Sequence, residues 1–208
     1  MIGKIAFWLA LCLVVAAALW GPLVSDVEQA KYSVVEKQDS LELRDYAPML
    51  VAQVEVAGER EKAINEGFRL IADFIFGNNA PAQNVAMTAP VIQQKSEAIA
   101  MTAPVTQQGE GGKWIVRFVM PSNYTMQNLP KPNNASVNIK EVPAKRFVVV
   151  RFSGMASADN LQKNTDALNA FIVKQKLTTL SAITYAFYNP PWTLPFLRRN
   201  EVMVEVAK

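Results

Sequence analysis

The sequence predicts an α+β fold. A twofold pseudo-symmetric repeat of strand–strand–helix–strand–strand forms a distorted antiparallel β-barrel with two flanking helices, preceded by an N-terminal transmembrane helix. Three observations predict it. Leu41–Gly58 (LELRDYAPMLVAQVEVAG) and Val137–Gly154 (VNIKEVPAKRFVVVRFSG) align without a gap at an offset of 96 residues. A stretch of helical period follows each terminal glycine. Ile5–Val24, ahead of both copies, carries no charged residue.

The N-terminal run, 20 residues at about 1.5 Å each, reaches roughly 30 Å, the depth of one bilayer core. Lys4 lies before it, and Asp26 and Glu28 lie after it. The basic end therefore stays in the cytoplasm and the C-terminal bulk is exported. Trp8 and Trp20 flank the run and suit the membrane interface. Two readings stand: an uncleaved anchor, or a cleaved signal peptide that releases a secreted protein. A cleavable signal needs a shorter apolar run and small residues just before the cut. Ala16, Ala17 and Ala18 lie inside the run, and Glu28 spoils a cut after Ala30, which favours the anchor. Cys12 follows Leu11 and lacks the small residue that a lipoprotein cysteine needs before it. The expected organisation is an anchor and linker over 1–30 and an extracytoplasmic domain over 31–208, periplasmic in a Gram-negative cell. The repeat halves fall at about 31–125 and 126–208.

Each copy of the repeat opens as strand, turn, strand. Apolar residues alternate, and Pro48 or Pro143 marks the turn. In the first copy Glu59–Phe76 places Ile64, Phe68, Ile71 and Ile75 at helical spacing, and Gly77-Asn78-Asn79 supplies the stop. In the second, Ser157–Lys176 places Leu161, Leu168, Phe171 and Ile172 on one face, with Ser157 as N-cap and Asp159 in the first turn. Strands follow each helix: Val85–Gln93, Ile99–Gln107 and Lys113–Met120, then Ile183–Tyr188 and Glu201–Val206. A shorter repeat lies within the first copy. Val85–Gln94 (VAMTAPVIQQ) recurs as Ile99–Gln108 (IAMTAPVTQQ) at an offset of 14, which reads as a hairpin. Pro90 and Pro104 place an edge, bulge or bend in each strand. Met87 and Met101 recur in phase, as core filler or as contacts to a ligand. Two such units close into one curved sheet or barrel and leave a cleft between the halves, a default place for a ligand.

Composition excludes several functions. The chain has 208 residues, 50% of them hydrophobic, with no His and one Cys. It can hold no Ser-His-Asp triad, no His-ligated metal and no intrachain disulfide. There is no phosphate-binding loop and no cluster of metal ligands. Asp45, Glu55, Glu66 and Glu201 show no diagnostic carboxylate spacing, so no catalytic residue is assigned and no enzyme is expected. The net charge of +3 comes from dispersed Lys and Arg. That suits an anionic small ligand or a membrane surface, and nucleic acid is not expected.

The MTAPV segment, Trp114–Met120 and Pro121-Ser122-Asn123-Tyr124 resemble the SOUL haem-binding family. So do Tyr188-Asn189-Pro190-Pro191-Trp192-Thr193 and Phe196-Leu197-Arg198-Arg199-Asn200-Glu201-Val202. The likeness runs from about Tyr32 to Val206. It implies a twofold repeat closing into a barrel flanked by two helices. It also implies haem or another tetrapyrrole, not covalently attached, in an apolar cleft beside the first helix. With no His in the chain, any iron ligand is Met, Tyr or nothing from the protein, and Met87 or Met101 is the weak axial candidate. The first helix lacks a basic row for propionates; Lys62 and Arg69 remain on one face.

The residues expected at the ligand are Phe68, Ile71 and Phe74 of the first helix, Met87 and Met101, Trp192, and Arg198 and Arg199. Phe68 and Ile71 fit the core stripe as well. Trp192 and Phe196 sit in a Pro-rich loop that forms either a lid over the cleft or a plug in the barrel end. Arg198 and Arg199, adjacent at a strand start, point to opposite faces. One can meet a ligand carboxylate while the other pairs with Glu201, or both can pin the loop. The function expected is non-enzymatic binding of haem or another planar apolar ligand, for carriage, buffering or transfer at a membrane reached through residues 5–24. The alternative is an effector-binding module for lipophilic cations, without haem, in which Glu55 or Glu201 selects the cation.

Overall fold

A computed structural model of the chain describes Trp8 and residues 27–81, 97–110 and 112–208. Nine strands form one antiparallel sheet, and two short strands form a second. In chain order the elements are β1 (Tyr32–Gln38), β2 (Leu41–Tyr46), β3 (Met49–Ala57), α1 (Arg60–Ile75), β4 (Asn79–Ala80), β5 (Val105–Glu110) and β6 (Lys113–Val119). Then follow β7 (Lys131–Pro132), β8 (Asn138–Val142), β9 (Lys145–Phe152), α2 (Ala158–Gln175), β10 (Thr184–Phe187), a 3-10 turn (Pro195–Leu197) and β11 (Asn200–Val206). The large sheet runs β1-β2-β9-β11-β10-β5-β6-β3-β8 and curls into a half-barrel.

The sequence repeat is written into this order. Exchanging β2 with β8, β3 with β9, β5 with β10 and β6 with β11 reverses the order from β2 to β8 and leaves it unchanged. The register obeys the same exchange. Glu42 pairs with Val149, and Gln53 with Asn138. Adding 96 to 42 gives 138, and subtracting 96 from 149 gives 53, so the repeat offset carries one pair onto the other. Gly58 and Gly154, matched at that offset, both hold a left-handed backbone, with φ of 122° and 101°. Each ends a strand and turns the chain toward its helix, a conformation that costs glycine nothing.

Alternation along the strands divides the molecule into layers. Leu50, Ala52, Val54 and Val56 of β3, with Val116 and Phe118 of β6, face α1 and bury its Ala63, Ile71, Phe74 and Ile75. Val148 and Val150 of β9, with Val202, Val204 and Val206 of β11, face α2 and bury Leu161, Leu168, Phe171 and Ile172. Both helices therefore lie on the outer, convex face. A Cβ on Gly67 would come within 2.7 Å of Val116 Cγ2, so the glycine sets how closely α1 approaches the sheet. Helix α2 begins where predicted: Ser157 Oγ accepts from the Asn160 N–H at 3.4 Å. A third cluster, Tyr46, Ala103, Val149, Ala186, Tyr188 and Met203, lies on the inner, concave face.

Residues 27–31 cross this concave face. Ala30 N–H donates to Ala103 O at 3.1 Å, Ala103 N–H to Glu28 O at 2.9 Å, and Ala47 N–H to Lys31 O at 3.0 Å. Val27 and Ala30 pack on the inner cluster.

Two expectations change. Strand pairing leaves β1 and β8 as free edges, so the sheet is a curled half-barrel, not a closed barrel. The strand expected over Ile99–Gln107 begins only at Val105. Pro104 cannot donate to a ladder, and Ile99 instead donates its N–H to Ile75 O and enters the core beneath α1. The expected strand Val85–Gln93, and with it the hairpin, lies outside the described residues, as do Cys12 and the apolar run except Trp8. Among the described residues no helix is long and apolar enough to cross a membrane. Strand β1 has no counterpart in the sequence reading; it adds an exposed edge through a bulge at Val34/Glu36.

Candidate ligand-binding site

The concave face holds a cavity of about 580 Å³. Its walls are the residues out of phase with the helix-facing ones: Met49, Val51, Gln53 and Glu55 of β3, Ile115 and Arg117 of β6, Thr106 and Gln108 of β5, and Thr184, Met203, Glu205 and Phe147 across the pseudo-axis. Ala30 closes one side, and Lys140 and Lys145 stand at the rim. Lys145 is paired with Glu205. The volume falls within the roughly 300–1,000 Å³ usual for small-molecule sites.

Arg117 is the half-buried cation of this wall. Its Nε donates to Gln53 Oε1 at 3.0 Å, and its Nη1 to Gln108 Oε1 at 3.2 Å. The register brings them together, since Gln53 lies directly across from Arg117 on β3. Both partners are neutral amides, and among the described residues Arg117 forms no ion pair. Burial pulls its pKa down, and the field of Glu55 opposes that. A guanidinium keeps its proton regardless, so the charge remains, oriented by two amides and without a counter-ion.

The pseudo-symmetry gives this cluster an opposite. The exchange that maps the β3–β6–β5 pairing onto β9–β11–β10 takes Gln53 to Val149, Arg117 to Met203, Thr106 to Thr184 and Gln108 to Ala186. Val149, Met203 and Ala186 are buried in the inner cluster. One half of the concave face thus presents a guanidinium, and the equivalent place in the other half a thioether among small apolar groups. An elongated ligand with an anionic end and an apolar body matches that polarity.

Beside the apolar half lies a buried polar network. Glu201 is fully buried. It accepts from Arg44 Nη1 at 3.0 Å, from Arg199 Nε and Nη2 at 2.9 and 2.7 Å, and from Tyr188 Oη at 2.7 Å. Arg44 also pairs with Glu42 at 2.7 Å and donates to Tyr46 Oη at 3.1 Å. Its guanidinium stacks over the Tyr32 ring at 4.3 Å, and that of Arg199 over Tyr188 at 3.8 Å. Burial works against the Arg44 charge, but Glu201 and the other partners outweigh it and its pKa is raised. Burial, then the Glu201 charge, pushes Tyr46 up to about 12. Tyr188 is also raised, by burial first and then by Tyr46 and Glu201. Tyr46 borders the cavity. The network fills the inner face at that end and holds β2, β10 and β11 together.

The residues expected at the ligand are not brought together, and none of those described lines the cavity. Ile71 and Phe74 are buried under α1 in the outer core. Phe68 is half-exposed on α1, its ring 5.2 Å from that of Phe118. Met87 lies outside the described residues. Met101 is partly exposed in the stretch before β5. Trp192 and Phe196 are exposed, so they do not plug the end of the sheet. Arg198 donates to Thr193 O at 2.7 Å and to Pro191 O within its own loop, and Arg199 is the Glu201 partner. Glu201, offered as a selector of cations, is saturated by two arginines; Glu55 is exposed at the cavity edge. Gln53, Gln108 and Arg117 of the cavity wall are not among the expected residues. Their signal was a set of polar residues out of phase with the apolar stripe of long strands, which the alternation of β3 and β6 already contains.

The donor set bears on a haem iron. Among the described residues no cluster of three or more His, Cys, Asp or Glu side chains forms a metal site. The cavity offers the thioethers of Met49 and Met203 and the phenol of Tyr46. Tyr46 keeps its proton and already accepts from Arg44, which makes it a poor iron ligand. The lining offers a tetrapyrrole an apolar wall and one carboxylate partner in Arg117, with Glu55, Glu141 and Glu205 on its border, and gives iron at most a weak thioether.

Comparison with solved structures places the fold among known ones. The C-terminal domain of EcmrR matches with a TM-score of 0.58 at 11% identity, covering 85% of this chain and 98% of that one. A hydrolase from Listeria innocua matches at 0.53 with 8% identity, covering 83% and 94%. At such identities the likeness is one of fold alone. Comparison with curated protein sequences finds no significant match. The family model described as SOUL heme-binding protein matches residues 27–205. That span takes in both repeat halves, the cavity wall and the buried network. The chain belongs to the SOUL haem-binding family, a family of binding proteins rather than of enzymes.

Proposed function

We propose that the chain binds a carboxylated tetrapyrrole, haem or a related macrocycle, in the concave cavity. It carries, buffers or hands on this ligand at a membrane surface and does no chemistry of its own. The observation behind this reading is Arg117, a half-buried guanidinium held by two neutral amides opposite an apolar wall. A ligand carboxylate there forms a charge-assisted hydrogen bond worth about 1.5–3 kcal/mol, roughly 10- to 100-fold in affinity. The macrocycle covers Met49, Val51, Ile115 and Met203, at about 25 cal/mol per Å² of apolar surface before the cost of association. The concave cavity is a better seat than the face of α1 because Ile71 and Phe74 are committed to the core. The membrane part of the reading rests on the apolar run over residues 5–24.

The test is titration of the protein with protoporphyrin and with its dimethyl ester, followed by absorbance and by quenching of protein fluorescence. Protoporphyrin should bind saturably. The ester, and Arg117→Met with the free acid, should each bind about tenfold more weakly or worse. Equal binding of acid and ester, or unchanged affinity in R117M, would remove the basis of the proposal. Binding of a lipophilic cation such as tetraphenylphosphonium in place of protoporphyrin, lost in Glu55→Gln, would replace it with the cation-effector reading.

A further inference from the structure

We propose that loop 190–197 is a second membrane contact, seating Trp192 and Phe196 in the interface of the same bilayer that residues 5–24 enter. The inference rests on the membrane reading of that run and not on what the cavity binds. Trp192 is 64% exposed and Phe196 70%, and Leu194, Leu197 and Met155 beside them are exposed too. Together they are an apolar patch on a domain whose remaining aromatic side chains are mostly in ring contacts or packed in its core.

The loop is built to hold these side chains outward. Arg198 Nε donates to Thr193 O at 2.7 Å and Nη2 to Pro191 O, so one guanidinium ties two loop carbonyls. Leu197 N–H closes the 3-10 turn on Leu194 O at 2.9 Å, and Gly154 N–H fastens Pro195 O at 2.9 Å. A braced loop that still leaves a tryptophan and a phenylalanine in water is a presenting surface. Trp and Phe at that level, with arginine close behind, are the side chains that a bilayer interface accepts.

The position of the N-terminal chain names the occupant. Arg199, at the base of the loop, donates from Nη1 to Gln29 Oε1 at 2.9 Å. Gln29 also bridges to Ala103, which leads into β5 at the end of the sheet where β11 begins. Val24, the last residue of the apolar run, is five residues before Gln29. At no more than about 3.5 Å per residue, it lies within roughly 17 Å of it. The run and the loop therefore meet the membrane at the same end of the domain. Leu180, 58% exposed, borders the cavity, and its N–H donates to Glu205 O at the far end of β11.

The experiment uses the full chain in vesicles of phosphatidylcholine and phosphatidylglycerol. Cys12 is changed to Ser, and a single cysteine is placed by Phe196→Cys, Trp192→Cys or, as control, Leu180→Cys, then labelled with the fluorophore NBD. Flotation of the vesicles reports the anchor separately. The result expected is co-flotation, with blue-shifted NBD emission at positions 192 and 196 that is quenched by spin-labelled lipid, and water-like unquenched emission at 180. Failure to float would overturn the anchor and the docking together. Flotation with unquenched emission at 192 and 196 would overturn the docking alone. Blue-shifted emission at 196 that persists in detergent and ignores the lipid quencher would assign the patch to a second copy of the chain instead.

Discussion

Replacing Glu201 by Gln tests the buried network most directly. The glutamate is fully buried and accepts from Arg44, Arg199 and Tyr188. A glutamine keeps the shape and one carbonyl oxygen, which can hold the two Arg199 bonds at 2.9 and 2.7 Å. Its amide NH₂ then faces Arg44 Nη1, donor against donor, while the Tyr188 hydroxyl turns to accept from it. Removing one partner from a buried ion pair costs about 3–5 kcal/mol. Arg44 keeps Glu42 at 2.7 Å and Arg199 keeps Gln29, so the lower end, about 3 kcal/mol, is expected. Urea denaturation followed by tryptophan fluorescence measures it. The companion variant Arg44→Met, Arg199→Met, Glu201→Leu removes both arginines together with the carboxylate they share and should cost less than E201Q alone. A loss below about 0.5 kcal/mol in E201Q, or a triple variant less stable than the single one, would refute the assignment of Glu201 as the counter-ion that holds the network.

Other outcomes follow from particular contacts. Gly67→Ala should destabilise by about 1–3 kcal/mol despite the better helix former, because the new methyl meets Val116 Cγ2; adding Val116→Ala should recover part of the loss in the same denaturation assay. Tyr46 holds its proton up to about 12 when folded, whereas the unfolded chain releases it near 10. Its contribution is therefore whole below about pH 10 and is lost as pH rises toward 12, and Tyr188 adds in the same direction. Phenolate absorbance should rise together with unfolding, and the buried tyrosines should not titrate earlier. At Glu42, burial raises the pKa but the bonds from Lys37 and Arg44 outweigh it, leaving it lowered. Its stabilisation is present above the ordinary glutamate value and fades as pH falls through the lowered one, so Glu42→Gln should flatten the acid limb of a stability profile.

The repeat was readable because a sheet transmits sequence offset into register. Once Leu41–Gly58 and Val137–Gly154 matched without a gap, the β2–β9 and β3–β8 pairings were tied to each other. Helices α1 and α2 were readable from their apolar stripes and, in α2, from the Ser157 cap. The site was less legible. The expectation of a ligand beside the first helix comes from the family resemblance, whereas Ile71 and Phe74 pack on the sheet in the outer core. The cavity is lined from the opposite phase, where Gln53, Arg117 and Gln108 look like ordinary solvent-facing positions until the curl of the sheet turns them inward. The MTAPV repeat suggested two equal strands, but Pro104 and the burial of Ile99 under α1 keep the part of its second copy before Val105 out of the ladder. Of the two roles offered for Arg198 and Arg199, the structure carries the structural one: Arg198 ties the carbonyls of its own loop and Arg199 pairs with Glu201.

A duplicated frame begins with two equivalent sockets. Here the first half of the shared cavity carries a charged hook, and the equivalent place in the other half carries Val149, Met203 and Ala186. Saturation should therefore end at a single equivalent of guest per polypeptide. On the proposed reading, a carboxylated guest would sit in one sense only, its acid end toward the first half, so whatever edge it leaves uncovered would be the same in every molecule.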